Sequence, residues 1–483
     1  MRDLIFTLIL LIFASFNHAH PEDGRGEKPN VLFIIVDDLR PELACYGSDH
    51  VISPNIDQLA REGTLFSRSY CQVPVCGASR ASFLTGMRGT RERFTSFASI
   101  ADEDAPGITG LPKHFKEHGY HTISNGKVYH HYEKDGAGGW SETPWHPNGW
   151  VEAPWYPKGN WANYLTTENI ILNLREESLP GRDFDTFGRP YEAADVPDNA
   201  YFDGVIAEKT IEDLKRLASN DKPFFLAAGF KKPHLPFNAP KRYWDMYERS
   251  EIDLADNPFI PENAPEASLT YLWELNRYVG IPVNPPVPDS MARTLIHGYY
   301  ACVSYVDAQI GKVLSELGSL GLRENTIVVL IGDHGWHLGE HGLWSKFTNY
   351  EEALKAPMIV SAPRLKEGQL SSALVEYVDL YPTLCDLCNL PNPEHLDGSS
   401  FVPLLEDSNN KWEEVAFSRF RDGESVKTDR YRYTEWTDDE GEVYARMLYD
   451  HHVDPGENKN ISELPENKQI VEDLSKILEI NME

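Results

Sequence analysis

Two stretches far apart in the chain each run from apolar residues into acid. "NVLFIIVDDL" closes on Asp37 and Asp38, and "ENTIVVLIGDHG" closes on Asp333 and His334. β-Branched runs of this kind read as central strands buried on both faces, which deliver their last polar residues to one edge of a sheet. Adjacent carboxylates in such a place repel each other and are costly to desolvate. A lone "DD" pair would read as a turn or a helix cap; the second acidic strand end shifts the reading to a shared cation. Three carboxylates beside one imidazole suit Ca²⁺ or Mg²⁺ better than zinc.

A second constellation sits in "PVCGASRASFLTG", Pro74 to Gly86. Cys76 stands at the start of a predicted helix, with Arg80 one turn along, a position where unpaired backbone N–H groups favour an anion. A thiolate nucleophile would want a neighbouring base. None stands beside it in sequence, and sulfur is a poor partner for a hard cation.

The elements around these residues alternate between helix and strand. "PNIDQLAREG" reads as a short helix closed by Gly63, and "GLPKHFKEHGYHTISNGKVYH" as a helix ended by Gly119, a strand from Tyr120 to about Ser124 and a polar loop. "YFDGVIAEKTIEDLKRLASNDKPFFLAAGFKKPHLPF" repeats helix, strand and loop. The expected architecture is α/β, a large mixed sheet flanked by helices, with ligands in the crevice beyond the carboxyl ends of its strands. Asp37 and Asp333 would then converge. Trp140 to Pro197 reads as long loops on the sheet's edge that shape a cleft. From about Trp412 short alternating segments, then "ENKQIVEDLSKILEI", indicate a small C-terminal antiparallel β subdomain with a closing helix.

The chain has 483 residues, with 45 basic against 75 acidic side chains and a formal charge of −30. That balance excludes a nucleic-acid binder, which needs a basic surface. An anionic substrate would therefore require a local cluster of Arg, Lys and His inside an acidic body. At the N-terminus the apolar run Leu4 to Phe16 is shorter than the ~20 residues of a membrane span and suits a secretory signal, here placed at residues 1–19. The mature chain is expected to be exported, periplasmic or secreted, without a membrane span. The six cysteines have no framework spacing; Cys385 and Cys388 read as small buried residues or a local pair, and Cys45, Cys71 and Cys302 as semi-buried thiols.

"CGASRASFLTG" resembles the signature of the type I sulfatases, in which the cysteine is oxidised after translation to formylglycine, an aldehyde whose hydrate is the nucleophile. Ala78 stands where most members have proline. The resemblance covers Asn30 to about Ile461 and is closest to the iduronate-2-sulfatase branch, through "NVLFIIVDDLRPELACYG", "SPNIDQLA", "GKVYH", "KKPHLPF", "GDHGWHLGEHGLWSKFTNYE" and "LYDHHVDPGENKNI". It implies the alkaline phosphatase-like sulfatase fold, a catalytic domain over 28–405 and a C-terminal subdomain over 406–483.

It also implies one Ca²⁺ on Asp37, Asp38, Asp333, His334 and an oxygen of modified Cys76. Arg80, Lys127, His130, His234 and Lys346 match the residues around the sulfate, and would supply the local positive cluster. One hydroxyl of the aldehyde hydrate would attack sulfur, His234 or Lys346 would protonate the leaving sugar oxygen, and His130 would deprotonate the second hydroxyl as sulfate is expelled. A thiol or a serine lacks that second hydroxyl. The implied partners are a sulfated oligosaccharide and a formylglycine-generating maturation enzyme. The expected substrate is the 2-O-sulfate of an iduronate-type uronic acid in a glycosaminoglycan or algal polysaccharide.

Other readings stay open at this level. A phosphodiesterase or phosphonate hydrolase of the same broad fold would share the metal site, and a sugar-binding relic would leave Cys76 unoxidised. Arg88, Arg91 and Arg93 read as further sulfate-site cations or as solvated surface. Trp336 reads as a sugar platform or a structural aromatic, and His337 and His341 as order for their loop. His114, His118, His121 and His131 read as surface or satisfied core residues.

Overall fold

All seven residues of β1, Asn30–Val36, are buried, as a strand rich in β-branched side chains must be when both its faces are covered. The computed structural model describes residues 28–131, 136, 138–148, 162–175, 186–270, 274–284 and 286–482. The expected signal segment, and parts of the Trp140 to Pro197 region, lie outside the described residues.

The strands that follow are β2 Thr64–Tyr70, β3 His121–Gly126, β4 Tyr191–Ala194, β5 Phe224–Phe230, β6 Phe237–Pro240, β7 Thr326–Gly332, β8 Met358–Ser361 and β9 Gln369–Glu376. With β1, six of them form one seven-stranded sheet in the order β3-β5-β1-β7-β8-β2-β9, and β4 pairs with β6 apart from it. β3, β5, β1 and β7 are mutually parallel. β8 runs antiparallel to both β7 and β2, which makes the sheet mixed. The carboxyl ends of β1, β3, β5 and β7 therefore open on the same edge, where such sheets bind their ligands.

Alternate residues of β1 feed two cores. Leu32, Ile34 and Val36 pack with the helices Phe202–Leu217 and Asp289–Ser319. Val31, Phe33 and Ile35 pack with the helices Cys76–Thr85 and Leu380–Leu387. The period-two alternation of a strand places these sets on opposite faces.

A second, four-stranded antiparallel sheet is built from β10 Val415–Phe420, β11 Gly423–Thr428, β12 Tyr431–Thr437 and β13 Val443–Asp450, and is followed by the helix Lys468–Met482. It is stitched to the main body near β2. Arg419 N donates to Gln72 O at 2.7 Å and Ser418 Oγ to Cys71 O at 2.6 Å. Buried Arg432 reaches Glu351 and Glu457.

Several expectations shift in detail. β3 starts at His121 and reaches Gly126, two residues past the expected end, because pairing with β5 carries the strand up to Lys127. The expected loop region before Pro197 contains the helix Thr167–Leu174, capped by Thr166, and β4. Cys71 and Cys302 are fully buried rather than semi-buried, and all six cysteines are free. Among the described residues no helix is long and apolar enough to cross a membrane.

Candidate functional site

Asp37 and Asp38 leave β1 as expected, but in different backbone conformations. Asp38 has φ 58°, a left-handed conformation that few non-glycine residues adopt. Its N–H donates to Asp333 Oδ1 at 3.0 Å, and its carbonyl accepts from the Tyr299 hydroxyl at 2.7 Å. This turn joins the end of β1 to the end of β7 and brings the three carboxylates together, each at most 1% exposed.

The helix Cys76–Thr85 is buried at every residue and begins at this cluster. Ser79 Oγ donates to Asp333 O at 2.5 Å. Arg80, itself fully buried, sends Nε to Asp333 Oδ2 at 2.9 Å, Nη2 to Asp37 Oδ1 at 3.3 Å and Nη1 to the carbonyls of Lys127 and Val128. One guanidinium thus clamps the ends of β1, β3 and β7, the forked role that suits arginine and not lysine.

Lys127 follows β3, and its Nζ lies 2.5 Å from Asp37 Oδ2. Burial pushes the Asp37 carboxyl up, yet Lys127, His234 and Arg80 outweigh it and hold Asp37 well below the usual carboxylate range. On the β7 side Lys346 Nζ lies 3.1 Å from Asp38 Oδ1 and over the Trp336 ring at 5.0 Å. Trp336 is 1% exposed. It is therefore the structural aromatic beneath Lys346 and not a sugar platform, the second of the two expectations for it.

Cys76 Sγ and one ligand atom each of Asp37, Asp333 and His334 all lie within 4.8 Å of one another. His334 Nδ1 faces the Gly335 carbonyl at 3.0 Å, and a carbonyl can only accept, so Nδ1 carries the proton. Burial holds this imidazole below its ordinary pKa and hence neutral. Its Nε2 lone pair then accepts from the Cys76 thiol at 3.2 Å, with Asp38 Oδ1 at 3.5 Å and Asp333 Oδ1 at 3.6 Å beside it. Acceptors gathered around one point fit a bound cation, and oxygen donors with a single nitrogen fit a hard divalent one. As a thiol, Cys76 is pushed well above its usual pKa by burial and by Asp37, so it stays protonated and is a poor nucleophile.

Above this cluster opens a cleft of about 500 Å³ bordered by Cys76, Lys127, His130, His234 and Lys346. His130 Nδ1 is buried with no hydrogen-bond partner among the described residues. Burial and the nearby Lys127 hold its pKa well below the ordinary value, which leaves a neutral ring. The loop after β5 carries His234 and is pinned by Asp203, whose carboxylate accepts Lys231 N and Lys232 N at 2.8 Å each. His234 Nδ1 faces Leu235 O at 2.6 Å and Nε2 faces Glu274 Oε1 at 3.2 Å, so both ring nitrogens meet acceptors.

Glu274, Lys231 and Arg277 also border the cleft and were not singled out from the sequence. Lys231 lay in the quoted "KKPHLPF" run beside His234. Glu274 and Arg277 lie in a stretch with no motif or periodicity, and nothing in the sequence marks them.

Three arginines fall elsewhere. Arg88 pairs with Glu376, Arg91 binds the carbonyls of Thr437 and Asp438, and Arg93 caps the Arg88 carbonyl. Their charge ties the chain after the Cys76 helix to neighbouring segments, and they add nothing to the cation cluster. His114, His121 and His131 are engaged with Pro391 O, Glu142 and Phe97 O, and His118 Nδ1 lies 2.8 Å from His114 O. His337 and His341 are buried and bound to Thr348 Oγ1 and Gly456 O, so they do order their loop.

The sulfatase family model matches residues 29–390, and a model of the C-terminal region of N-sulphoglucosamine sulphohydrolase matches residues 339–483. The chain belongs to the sulfatase family and is a sulfuric ester hydrolase. It is 34% identical to iduronate 2-sulfatase of Mus musculus over 85% of this chain and 78% of that protein. Identity to iduronate 2-sulfatase of Homo sapiens is 35%, over 81% of this chain and 74% of that one. Among solved structures, a phosphonate monoester hydrolase from Silicibacter pomeroyi aligns with a TM-score of 0.73 at 24% identity, covering 94% of this chain and 95% of that one. A protein solved in complex with its substrate D-glucosamine-2-N,6-O-disulfate aligns with a TM-score of 0.72 at 22% identity, covering 94% and 97%. At these identities the likeness is one of fold, the alkaline phosphatase-like fold of the sulfatases.

Proposed function

We propose that this enzyme removes the 2-O-sulfate of an iduronate-type uronic acid from a glycosaminoglycan or algal polysaccharide fragment. In this reading Cys76 is matured to formylglycine by a separate enzyme, and one Ca²⁺ is held by Asp37, Asp38, Asp333, His334 and residue 76. The observation that carries it is the meeting of Cys76 with Asp37, Asp333 and His334 within 4.8 Å at the floor of a cation-lined cleft. The substrate class rests on the two iduronate 2-sulfatases, which share about a third of their residues with this chain.

Bound there, Ca²⁺ supplies a positive charge that offsets the repulsion between an anionic sulfate ester and an incoming oxygen. Arg80 holds Asp37 and Asp333 in place and helps to keep Asp37 ionised. Lys127 and Lys346 direct ammonium groups to where negative charge grows on the sulfate oxygens. His130, neutral and with an unengaged Nδ1, accepts a proton from residue 76. Elsewhere in the same cleft, Lys346 or His234 protonates the departing sugar oxygen. A plain thiol fits none of this, because Asp37 and burial keep it protonated.

The catalytic part is taken as residues 28–405 and the C-terminal subdomain as 406–483. Leu4 to Phe16 is taken as the core of an export signal.

The test is sulfate release from a disaccharide with a 2-sulfated uronate at its non-reducing end, using protein matured in a host that makes formylglycine, beside Cys76→Ala. Release that vanishes in the variant is expected. No release, with the aldehyde confirmed by mass at residue 76, would overturn the substrate assignment; faster cleavage of a phosphonate monoester would replace it with the phosphonate hydrolase reading.

A further inference from the structure

Glu274 brings a carboxylate into a cleft otherwise built to attract an anion. It lies just before the turn Leu275–Arg277, in the cleft wall with Lys231 and Arg277. Its side chain is 18% exposed. A negative charge this close to a sulfate site opposes substrate binding by simple repulsion, and its partial burial adds a desolvation penalty. Such a group needs partners, and its two oxygens have different ones. Oε1 lies 3.2 Å from His234 Nε2 and Oε2 lies 2.8 Å from Lys346 Nζ.

Those partners come from separate loops, after β5 and after β7. Both groups are also held from within: His234 Nδ1 faces Leu235 O at 2.6 Å, and the same Lys346 Nζ lies 3.1 Å from Asp38 Oδ1. Asp38 also pairs with both, at 3.9 Å from His234 Nε2 and 3.1 Å from Lys346 Nζ, but from the buried floor of the site; Glu274 is the carboxylate that meets them from the cleft wall, and closer. It closes a bridge across the mouth of the site, from the β5 loop to the β7 loop, directly over the pair assigned to the leaving oxygen.

We propose that Glu274 is a positioning residue for the departure of the sugar, holding His234 Nε2 and Lys346 Nζ toward the ester oxygen. The assignment rests on the sulfatase reading of this site and deepens it. In the step it serves, the bond between sulfur and the sugar oxygen breaks and its electron pair stays on that oxygen. A proton from His234 or Lys346 joins the oxygen, and sulfur passes to the attacking oxygen of residue 76. A sugar alkoxide is a poor leaving group and depends on that proton. A nitrophenolate is a stabilised anion and departs without it.

Leaving-group dependence therefore separates positioning from a general loss of structure. The full matured chain and its Glu274→Gln and Glu274→Ala variants are compared on a 2-sulfated uronate disaccharide and on 4-nitrophenyl sulfate. We expect kcat on the sugar ester to fall about a hundredfold, with KM little changed, while kcat on the aryl ester falls less than about threefold. Glu274→Asp should restore part of the sugar activity. Equal losses on the two esters, or no loss on either, would overturn the proposal. If Glu274→Ala fails to fold, the nearly isosteric Glu274→Gln makes the same comparison. A wild type that cleaves the aryl ester but not the disaccharide would refute the substrate class and leave Glu274 standing; the ratio is then read with the sugar sulfate that the wild type accepts.

Discussion

Arg80 Nε donates to Asp333 Oδ2 at 2.9 Å, with neither side chain exposed at all. The guanidinium also touches Asp37 and two carbonyls beyond β3, so its removal would strand two buried carboxylates at once. We expect Arg80→Ala to lower the unfolding free energy by about 3–5 kcal/mol. Arg80→Lys, which keeps the charge and loses the fork, should fall in between. Equilibrium urea unfolding measures both; a loss below about 1 kcal/mol for the alanine variant would mean that the carboxylates find other partners.

Metal binding should be visible without any turnover. Asp37, Asp38, Asp333 and His334 Nε2 gather acceptors around one point, so a cation bound to the native state alone must stabilise it. Ca²⁺ added to chelator-treated protein at about 100 times its dissociation constant should add about 2.7 kcal/mol, seen as a raised melting temperature. The gain should shrink in Asp333→Asn. A midpoint that ignores Ca²⁺ would count against the cluster as a cation site.

Much of this site is legible in the sequence because its residues sit at strand ends and in a contiguous signature. The runs before Asp37 and Asp333 are apolar enough to be central strands, and parallel central strands share one open edge, so their convergence follows from topology. The Arg80 contact could be foreseen only as an anion-binding position; that its guanidinium spans three strand ends depends on the depth of the Cys76 helix in the fold. Glu274 was invisible for a different reason. It lies in a proline-rich stretch with no period, and its meaning comes only from the two loops that meet it. Arg88, Arg91 and Arg93 were ambiguous because charge in sequence does not tell which neighbouring segment will claim it.

Gly229 offers a way to disturb the cluster from outside the chemistry. It lies in β5 beside the end of β3, and a Cβ built there would sit 1.9 Å from the Lys127 carbonyl oxygen. That same carbonyl accepts from Arg80. Gly229→Ala should therefore displace Lys127 and loosen Arg80 together, with a stability loss of about 1–3 kcal/mol from overpacking. Sulfate release should fall at least about tenfold, as a misplaced cation implies. Unchanged activity in a folded variant would show that the β3 end can move without consequence.

His337 sets an acid limit on the fold. It is buried, with Nε2 2.9 Å from Thr348 Oγ1, and burial first and His341 second hold its pKa down at about 3. In the unfolded chain the ring titrates near about 6.5. Below that value the unfolded state takes up a proton that the native state refuses, so the contribution is intact above about pH 6.5 and is lost as pH falls toward about 3. The slope from this one group is about 1.4 kcal/mol per pH unit across the window. His337→Gln, which keeps a hydrogen-bonding group but cannot be charged, should flatten the decline by about one proton. Urea unfolding between about pH 7 and 4.5 tests it. Parallel slopes in the two proteins would mean that the native state accepts the proton at His337 after all, and that the loop from Trp336 to Lys346 yields in acid before the rest of the fold.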